Sequence, residues 1–560
     1  VRTESTPVLI IGGGLVGLSA SLFLSWRGVR SVLVERHPGT SIHPRAWGLY
    51  PRTLELLRGA GVEKAVLAES AGFAGHVLNG RVESLAGSEI AVSRIPEPED
   101  VSGVSPVERI VSLSQDRVEP ILVERARELG SDVRFGTEAV ELAQDADGVT
   151  AVLRDRVGGG EYAIRARYAV AADGAHSTVR ERLGIGRRGR GVLRHQMSIL
   201  FDTDLRGPLR GRRFAICQVR NAEVEGVLGH DDSLGRGTLI VTYRPERGEG
   251  PGDFTDERCV RLVRAAIGVP DAPVGLRGVM PWEMAALTAE RFAAGRVFLA
   301  GDSAHVIPPV GGYGANTGVQ DAYDLAWKLW AVLGGMAPRE LLDSYEEERR
   351  PVAEATVRQA AMRLVARSGA GGGPGAGGPG AGGPGAGGPG AGAGGPGGPA
   401  ALAEPLAVTF GYRYRSSTVT DDVADAGPRE TEFTPPERLS GRPGTRAPHL
   451  WVRRDGEPVS LIDLFGPRPV LLVGADGLDG GAGAENARGA ADALGVPLDV
   501  YTVGRDLVDD GDWARRYGVA PGGAVLVRPD GFVAHRWRER APEADAVGAA
   551  LARMLARPAV

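Results

Sequence analysis

The sequence predicts an α/β fold: a helix-flanked parallel sheet, an antiparallel sheet inserted into it, and a second, smaller α/β unit beyond a low-complexity tract. Three observations predict it. An apolar run, Val8-Leu9-Ile10-Ile11, turns through Gly12-Gly13-Gly14-Leu15-Val16-Gly17 into a helix-patterned stretch, and Glu35-Arg36 closes the next strand. Two later runs, Tyr168–Ser177 and Val297–His305, read as strands that end in an Asp-Gly turn (Asp173-Gly174) and a Gly-Asp turn (Gly301-Asp302). Between about Gly186 and Glu283 the pattern changes to short strand-like runs separated by Gly, Asp and Pro.

The first segment is the dinucleotide fingerprint in its required strand–turn–helix context, which makes the first domain Rossmann-type. A diphosphate must approach backbone N–H groups closely. Gly12 makes the tight turn, Gly14 leaves no side chain in the way, and Gly17 lets the helix pack tightly on the strand. The helix start offers unpaired N–H donors and a positive dipole end to the phosphates. The carboxylate of Glu35 is placed to accept hydrogen bonds from both hydroxyls of an adenine ribose, where a 2′-phosphate would be repelled.

Further elements come in order along the chain. Arg52–Arg58 reads as a helix after the Pro51 start signal, and Gln115–Leu129 carries a helical apolar period. Strands are expected around Asp132–Phe135, Val149–Leu153 and Tyr162–Ala172, then Met197–Phe201, Arg213–Val219 and Thr238–Tyr243. The loop Ile307–Gly314 should lead into an amphipathic helix beginning near Ala315, and Ser344–Val365 is another helical stretch. Residues 369–399 repeat Gly-Ala-Gly-Gly-Pro, with no side chains able to offset chain entropy, which predicts a disordered linker. Past it, strands are expected at Val470–Gly474, Leu498–Val503, Ala524–Val527 and Phe532–Arg536. The domain limits are therefore 1–185 with 284–367 for the nucleotide-binding domain, 186–283 for the inserted substrate sheet, 368–400 for the linker and 401–560 for the last unit.

The order and spacing of these segments resemble the class A flavoprotein monooxygenases with a para-hydroxybenzoate hydroxylase-like fold, and within them the aromatic polyketide hydroxylases. The resemblance implies FAD as cofactor, NAD(P)H (NADPH favoured) as transient reductant, and a thioredoxin-like C-terminal domain. No Cys-X-X-Cys is present, so thiol redox chemistry is not available to that domain. It also implies site residues: Asp302 for the ribitol, Asp173 for FAD and NAD(P)H, and Arg36, Arg45 and Gln115 among the cofactor contacts. Pro309, Gly311, Gly312, Gly314, Ala315 and Asn316 would lie along the isoalloxazine edge, where a helix N-terminus favours anionic reduced flavin. Gly311 and Gly312 position the flavin for catalysis, and no side-chain base is assigned among His43, His176 and His305. Trp282 and Met284 are expected to line an apolar substrate pocket. The implied reaction is hydroxylation of a polycyclic phenol or quinone by O₂ through a flavin C4a-hydroperoxide, in natural-product biosynthesis. Baeyer–Villiger or ring-opening oxygenation on the same scaffold, and a non-catalytic flavin-binding protein, are the alternatives.

Composition narrows the classes. A length of 560 residues calls for two or three domains, and a net charge of −5 carries no strong field. Of 65 basic residues only Lys64 and Lys328 are lysine, which reads as GC-rich coding rather than a nucleic-acid surface. The two cysteines, Cys217 and Cys259, have no metal or redox spacing, so no metal site is expected. No stretch is long enough to span a bilayer, which sets the expectation of a cytoplasmic protein with no membrane partner, and no nucleic-acid partner is expected either. The resemblance implies a small aromatic polyketide and O₂ as its partners, and a monomer or homodimer is expected.

Overall fold

The computed structural model describes residues 3–96, 100–107, 109–369, 401–420, 433–477 and 482–558. Its first sheet runs, strand by strand, Ala293–Ala294, Val297–Leu299, Glu161–Ala171, Thr3–Ile11, Ser31–Glu35 and Asp132–Phe135, with Val149–Asp155 and Thr137–Gln144 paired on as an antiparallel flap. The central pairings are parallel, and their register aligns Ile11 with Ala171 and Val34, and Ala171 with Leu299. Near-continuous apolar runs are what a strand covered on both faces requires: Val8, Leu9, Val170 and Leu299 are fully buried. The helix Leu15–Trp26 packs on Tyr313–Leu333, and the rings of Phe23 and Tyr323 meet edge to face at 4.8 Å.

The second sheet has eight strands, in the order His305–Val306, Gly275–Ala289, Arg187–Asp202, Arg236–Tyr243, Glu225–His230, Phe214–Arg220, Leu78–Val82 and Glu89–Arg94. Alternation sets its two faces. Met197, Ile199, Phe201, Leu239 and Val241 point into a core closed by the helix Asp256–Ile267, together with the buried Cys217 and Cys259. Gln196 and Ser198 lie on the opposite face.

This sheet exceeds the expected limits of 186–283. Residues 78–94 supply its far edge, and its long central strand runs on to Ala289. The edge strand Glu89–Arg94 is exposed at nearly every position, so it carries no alternation for a sequence reading to detect.

Of the linker expected at 368–400, Ser368 and Gly369 belong to the helix Asp343–Gly369, a correction of its start, and residues 370–400 lie outside the described residues. Beyond the tract the chain returns at once to this helix. Gln359 Nε2 donates to Ala401 O at 3.1 Å, and Ala403 N donates to Gln359 Oε1 at 2.9 Å. The segment 401–419 therefore starts on the nucleotide-binding domain, which corrects the boundary at 401: Val408 joins Tyr313 and Val357, and further along it also meets the last unit, where Tyr412 and Tyr414 pack between Val352 and Phe532.

The last unit is a four-stranded sheet ordered Asp499–Val503, Val470–Gly474, Ala524–Val527 and Val533–Trp537, with the first pair parallel and the others antiparallel. Helices Ala482–Ala493, Trp513–Tyr517 and Ala544–Met554 complete a β-α-β-α-β-β-α order, the thioredoxin-like topology. Buried charge joins it to the first domain. Arg528 donates to Glu348 Oε2 at 2.8 Å and to Asp324 Oδ1 at 3.3 Å, and Lys328 Nζ donates to the same two carboxylates at 2.7 Å each. Glu348, Asp324 and Asp530 thus converge around one ammonium and one guanidinium, three carboxylates for two positive charges, and burial with the neighbouring carboxylates raises the Asp324 pKa to about 7. Arg446 pairs with the buried Glu55 in the same way. Removing one partner from such a buried pair costs about 3–5 kcal/mol.

Candidate functional site

The three motifs meet at one edge. Because their strands are parallel and adjacent, the turns after Ile11, Ala171 and Leu299 all leave from the carboxyl ends of the sheet, where open α/β sheets bind their ligands. Backbone bonds tie them together: Ala172 N donates to Ile11 O at 2.8 Å and Ala300 N to Ala171 O at 3.0 Å. Ser303 Oγ donates to Ala171 O at 2.6 Å, and Arg180 reaches both Ala175 O and Ser303 O.

The fingerprint glycines divide by role. Gly12 has φ +110°, and a Cβ there would stand 2.2 Å from Ala172 O. A Cβ on Gly17 would stand 1.9 Å from Gly12 O. Both are required by the fold itself. Gly14 is different: its backbone is extended and a Cβ would meet only Glu119 Oε1, at 3.8 Å. Space therefore opens at Gly14, beside a helix start that has no side-chain cap from its own N-cap residue, which suits a diphosphate.

Glu35 is held by the turn it serves. Oε2 accepts from Gly13 N at 2.7 Å and Oε1 from His37 N at 2.9 Å, which fixes the carboxylate and leaves one lone pair on each oxygen for a ribose hydroxyl. Arg36 is exposed, its Nε donating to His37 Nε2 at 3.4 Å. Gln115 opens its helix and donates to Glu119 Oε1 at 2.6 Å.

Glu119 is a site residue that sequence reading missed. Its side chain is buried, accepts from Ser41 N at 2.8 Å, and faces the Leu15 N–H. Burial raises its pKa, against the pull of Gln115, Ser41 and Arg45. The i,i+4 spacing of Gln115 and Glu119 was the available signal.

The two Asp turns differ. Asp173 accepts from Ser177 Oγ at 2.5 Å and from Val179 N at 3.1 Å, so its carboxylate fastens the short helix Thr178–Arg182. Its expected cofactor role has to share the carboxylate with that brace. Asp302 has no hydrogen-bond partner for its carboxylate among the described residues. It is also exposed, although protein surrounds it so closely that desolvation raises its pKa against the pull of His305 and Arg45. Arg45, itself exposed, acts electrostatically on Asp302 and Glu119 alike.

The flavin-loop helix begins at Tyr313, two residues before the expected start. Gly311 (φ +96°) and Gly312 (φ +68°) turn the chain into it through left-handed backbone that only glycine adopts freely. With Gly312 as N-cap and no side-chain cap, the N–H groups of Tyr313, Gly314 and Ala315 are left for a ligand. Tyr50 fixes the loop, donating from its hydroxyl to Gly311 O at 2.7 Å. Pro309 is half-buried beside Val310.

Asn316 corrects an expectation. Its side chain accepts from Tyr50 N at 2.9 Å and Thr53 Oγ1 at 2.6 Å, and donates to Gly48 O at 3.2 Å and Gly312 O at 2.8 Å. All its bonding capacity braces the loop, leaving none for a cofactor.

Where the second sheet meets this loop, Met284, Val310 and Leu364 form an apolar cluster edged by Leu193 and Trp282. Met284 is 1 % exposed, so it backs the wall rather than lining a pocket, a second correction. Trp282 is half-buried and donates from Nε1 to Ser198 Oγ at 2.9 Å, while Gln196 donates to Thr242 Oγ1 at 2.9 Å. Ser198, Gln196 and Thr242 share the sheet face with Trp282, and no sequence motif marks any of them. Which strand residues face a ligand depends on pairing partners far along the chain.

Comparison with known proteins agrees with this geometry. Residues 5–360 match the FAD binding domain family and residues 440–558 the C-terminal domain of aromatic-ring hydroxylases. The chain is 45 % identical to a putative polyketide hydroxylase of Streptomyces halstedii, over 96 % of this chain and 94 % of that one. It is 42 % identical to a 4-methyl-5-nitrocatechol 5-monooxygenase of a Burkholderia species, over 98 % of both. Among solved structures, aklavinone-11 hydroxylase in complex with FAD and aklavinone superposes with a TM-score of 0.83 at 39 % identity, covering both chains fully. The open turn at Gly14, the exposed Asp302 and the uncapped helix at Tyr313 fit FAD, and the chain belongs to the class A flavoprotein monooxygenases, among the FAD-dependent aromatic-ring hydroxylases.

Proposed function

We propose that this enzyme hydroxylates a polycyclic aromatic polyketide, a phenol or quinone, at the junction of the second sheet and the flavin loop. The observation that carries the reading is the composition of that junction: the half-buried Leu193 and Trp282, backed by the buried Val310, Leu364 and Met284, with a few neutral polar groups, Ser198, Gln196 and Thr242. Such a surface takes a flat, largely uncharged ring system and orients it by a small number of hydrogen bonds. The names of the relatives, polyketide and aklavinone hydroxylases among them, point the same way.

FAD, reduced by NAD(P)H, supplies the O₂ activation for oxygen transfer to the ring. The chain's own residues do the rest. The turn at Gly12–Gly17 and its helix start hold the diphosphate, Glu35 the adenine ribose, and Asp302 the ribityl chain. Gly311 and Gly312 give the loop a backbone that approaches a flat ring closely, and the N–H groups of Tyr313, Gly314 and Ala315 stabilise negative charge developing on it. The second sheet covers the ring and excludes water. A phenol in the substrate provides its own electron push, so no protein base is needed. The partner is a small molecule, the protein acts in the cytoplasm as a monomer or homodimer, and neither nucleic acid nor membrane takes part. Among the described residues no helix is long and apolar enough to cross a membrane.

The test is NAD(P)H oxidation by the purified, yellow protein against a panel of polyphenolic quinones and simple phenols. Stimulation by the polycyclic compounds, with a product one oxygen heavier, is expected. Stimulation by monocyclic catechols alone would overturn the substrate assignment.

A further inference from the structure

One buried carboxylate on the flavin-loop helix joins the Gly301–Asp302 turn, the second sheet and the helix Asp343–Gly369, and it belongs to no binding motif. Asp321 lies two turns into the flavin-loop helix and its side chain is fully buried. Its Oδ2 accepts from Gly301 N at 3.1 Å, the residue immediately before Asp302, and stands 2.6 Å from His305 Nε2. Its Oδ1 accepts from Arg349 Nε at 2.7 Å, and Arg349 continues to Thr317 O and the Tyr414 hydroxyl, both at 3.1 Å.

Each partner is anchored elsewhere. Gly301 has φ +63° and touches Val16 of the fingerprint helix, where an added Cβ would stand 2.7 Å away. His305 is in the edge strand of the second sheet, paired with Thr288. Arg349 is on the helix Asp343–Gly369, and Tyr414 is on the segment that leads to the C-terminal domain.

A nitrogen 2.6 Å from a carboxylate oxygen is the donor of a charge-assisted bond, so Asp321 accepts from three donors at once. None of the three has another route to satisfaction if the carboxylate is lost, because all lie in the interior. We propose that Asp321, with His305 and Arg349, is a positioning residue that fixes the Gly301–Asp302 turn against the second sheet, and so sets where the ribityl end of FAD sits relative to the substrate. The inference rests on the placement of the ribityl chain at Asp302.

The experiment titrates FAD into apoprotein, followed by flavin fluorescence, for Asp302→Asn, Asp321→Asn, His305→Leu and His305→Gln, with the thermal midpoint of each apoprotein and the flavin midpoint potential of each holoprotein. An asparagine at 321 must turn an amide N–H toward one of the donors. FAD affinity should fall roughly tenfold to a hundredfold, the size of one buried unsatisfied donor, and the flavin potential should move. His305→Leu should weaken FAD, and His305→Gln, which keeps a donor toward Asp321, should restore most of the affinity. Unchanged FAD affinity and potential in both Asp321→Asn and His305→Leu, alongside a weakened Asp302→Asn, would overturn the positioning role alone. Unchanged affinity in Asp302→Asn would instead overturn the ribityl placement. Should Asp321→Asn not fold, the His305 pair decides: equal affinity for Leu and Gln overturns the proposal, and recovery with Gln upholds it.

Discussion

Asp173 and Asp302 occupy equivalent turns at the ends of adjacent parallel strands, and the protein uses them in opposite ways. The Asp173 carboxylate already accepts one bond on each oxygen, from Ser177 Oγ and the Val179 N–H, while that of Asp302 is exposed and has no protein partner among the described residues. The difference lies in the element that each turn leads into. After Asp173 the chain enters a helix whose first N–H groups need an acceptor; after Asp302 it runs into an edge strand, and the neighbouring carboxylate, Asp321, takes the local donors instead.

The largest effect should come from outside both turns and set the scale for them. Gly14→Val leaves the fold intact, because nothing closer than 3.8 Å meets a Cβ there, yet it fills the space the diphosphate needs. Purified protein should be colourless with an ordinary apoprotein melting point. Gly17→Ala, whose Cβ would lie 1.9 Å from Gly12 O, should lose the fold as well as the flavin.

The comparison itself is sharpened by exchanging amides for the two acids. Asp302→Asn should weaken FAD by tenfold or more at unchanged stability, since it loses roughly 2 kcal/mol of charge-assisted bonding to the ribityl hydroxyls. Asp173→Asn should do the reverse, costing about 1 kcal/mol of stability as the helix loses its brace and changing FAD affinity little. Equal FAD affinities in the two variants would erase the distinction.

A smaller effect is expected at the loop. Gly312→Val forces a branched side chain onto φ +68° and shifts the helix start. FAD should be retained, but hydrogen peroxide released per NAD(P)H consumed should rise severalfold as water reaches a misplaced ring. Full coupling in this variant would remove the loop from the reacting ring.

The next contrast is in pH. Burial pushes His230, in the second sheet, and His449, in the C-terminal domain, down to about 4 from an ordinary 6.5. A histidine held neutral stabilises the fold fully above 6.5, and that stability is lost as pH falls toward 4, by about 1.4 kcal/mol per unit for each. Melting temperatures should therefore drop below pH 6.5, and His230→Gln should flatten part of the slope. The smallest effect belongs to the tract. Replacing residues 370–400 by a Gly/Ser chain of equal length should leave flavin content and turnover nearly unchanged, and a large loss would show that the tract is recognised or ordered.

Much of this architecture was legible because glycine and aspartate at strand ends carry positional meaning, and apolar runs bounded by them set the parallel sheet. Strand limits such as Asp132–Phe135 and Val470–Gly474 coincide with those read from the apolar pattern. The features that escaped depend on distant partners. The strand at 89–94 has no buried alternation because it forms a solvent-facing edge. Asp321 and Glu119 look like surface charges on helices, and only their packing against Arg349 and Gln115 makes them interior. Asn316 is legible as a neighbour of the flavin loop but not as its brace, because its side-chain partners Tyr50 and Thr53 lie more than 260 positions away.

The measurement that tests the central claim most directly is the isotopic mass of the product formed from a polyphenolic quinone with NADPH under ¹⁸O₂. The account predicts one ¹⁸O atom in the product for each NADPH consumed, with the carbon skeleton unchanged. Oxygen derived from water, or NADPH oxidation that the substrate does not accelerate, would contradict it.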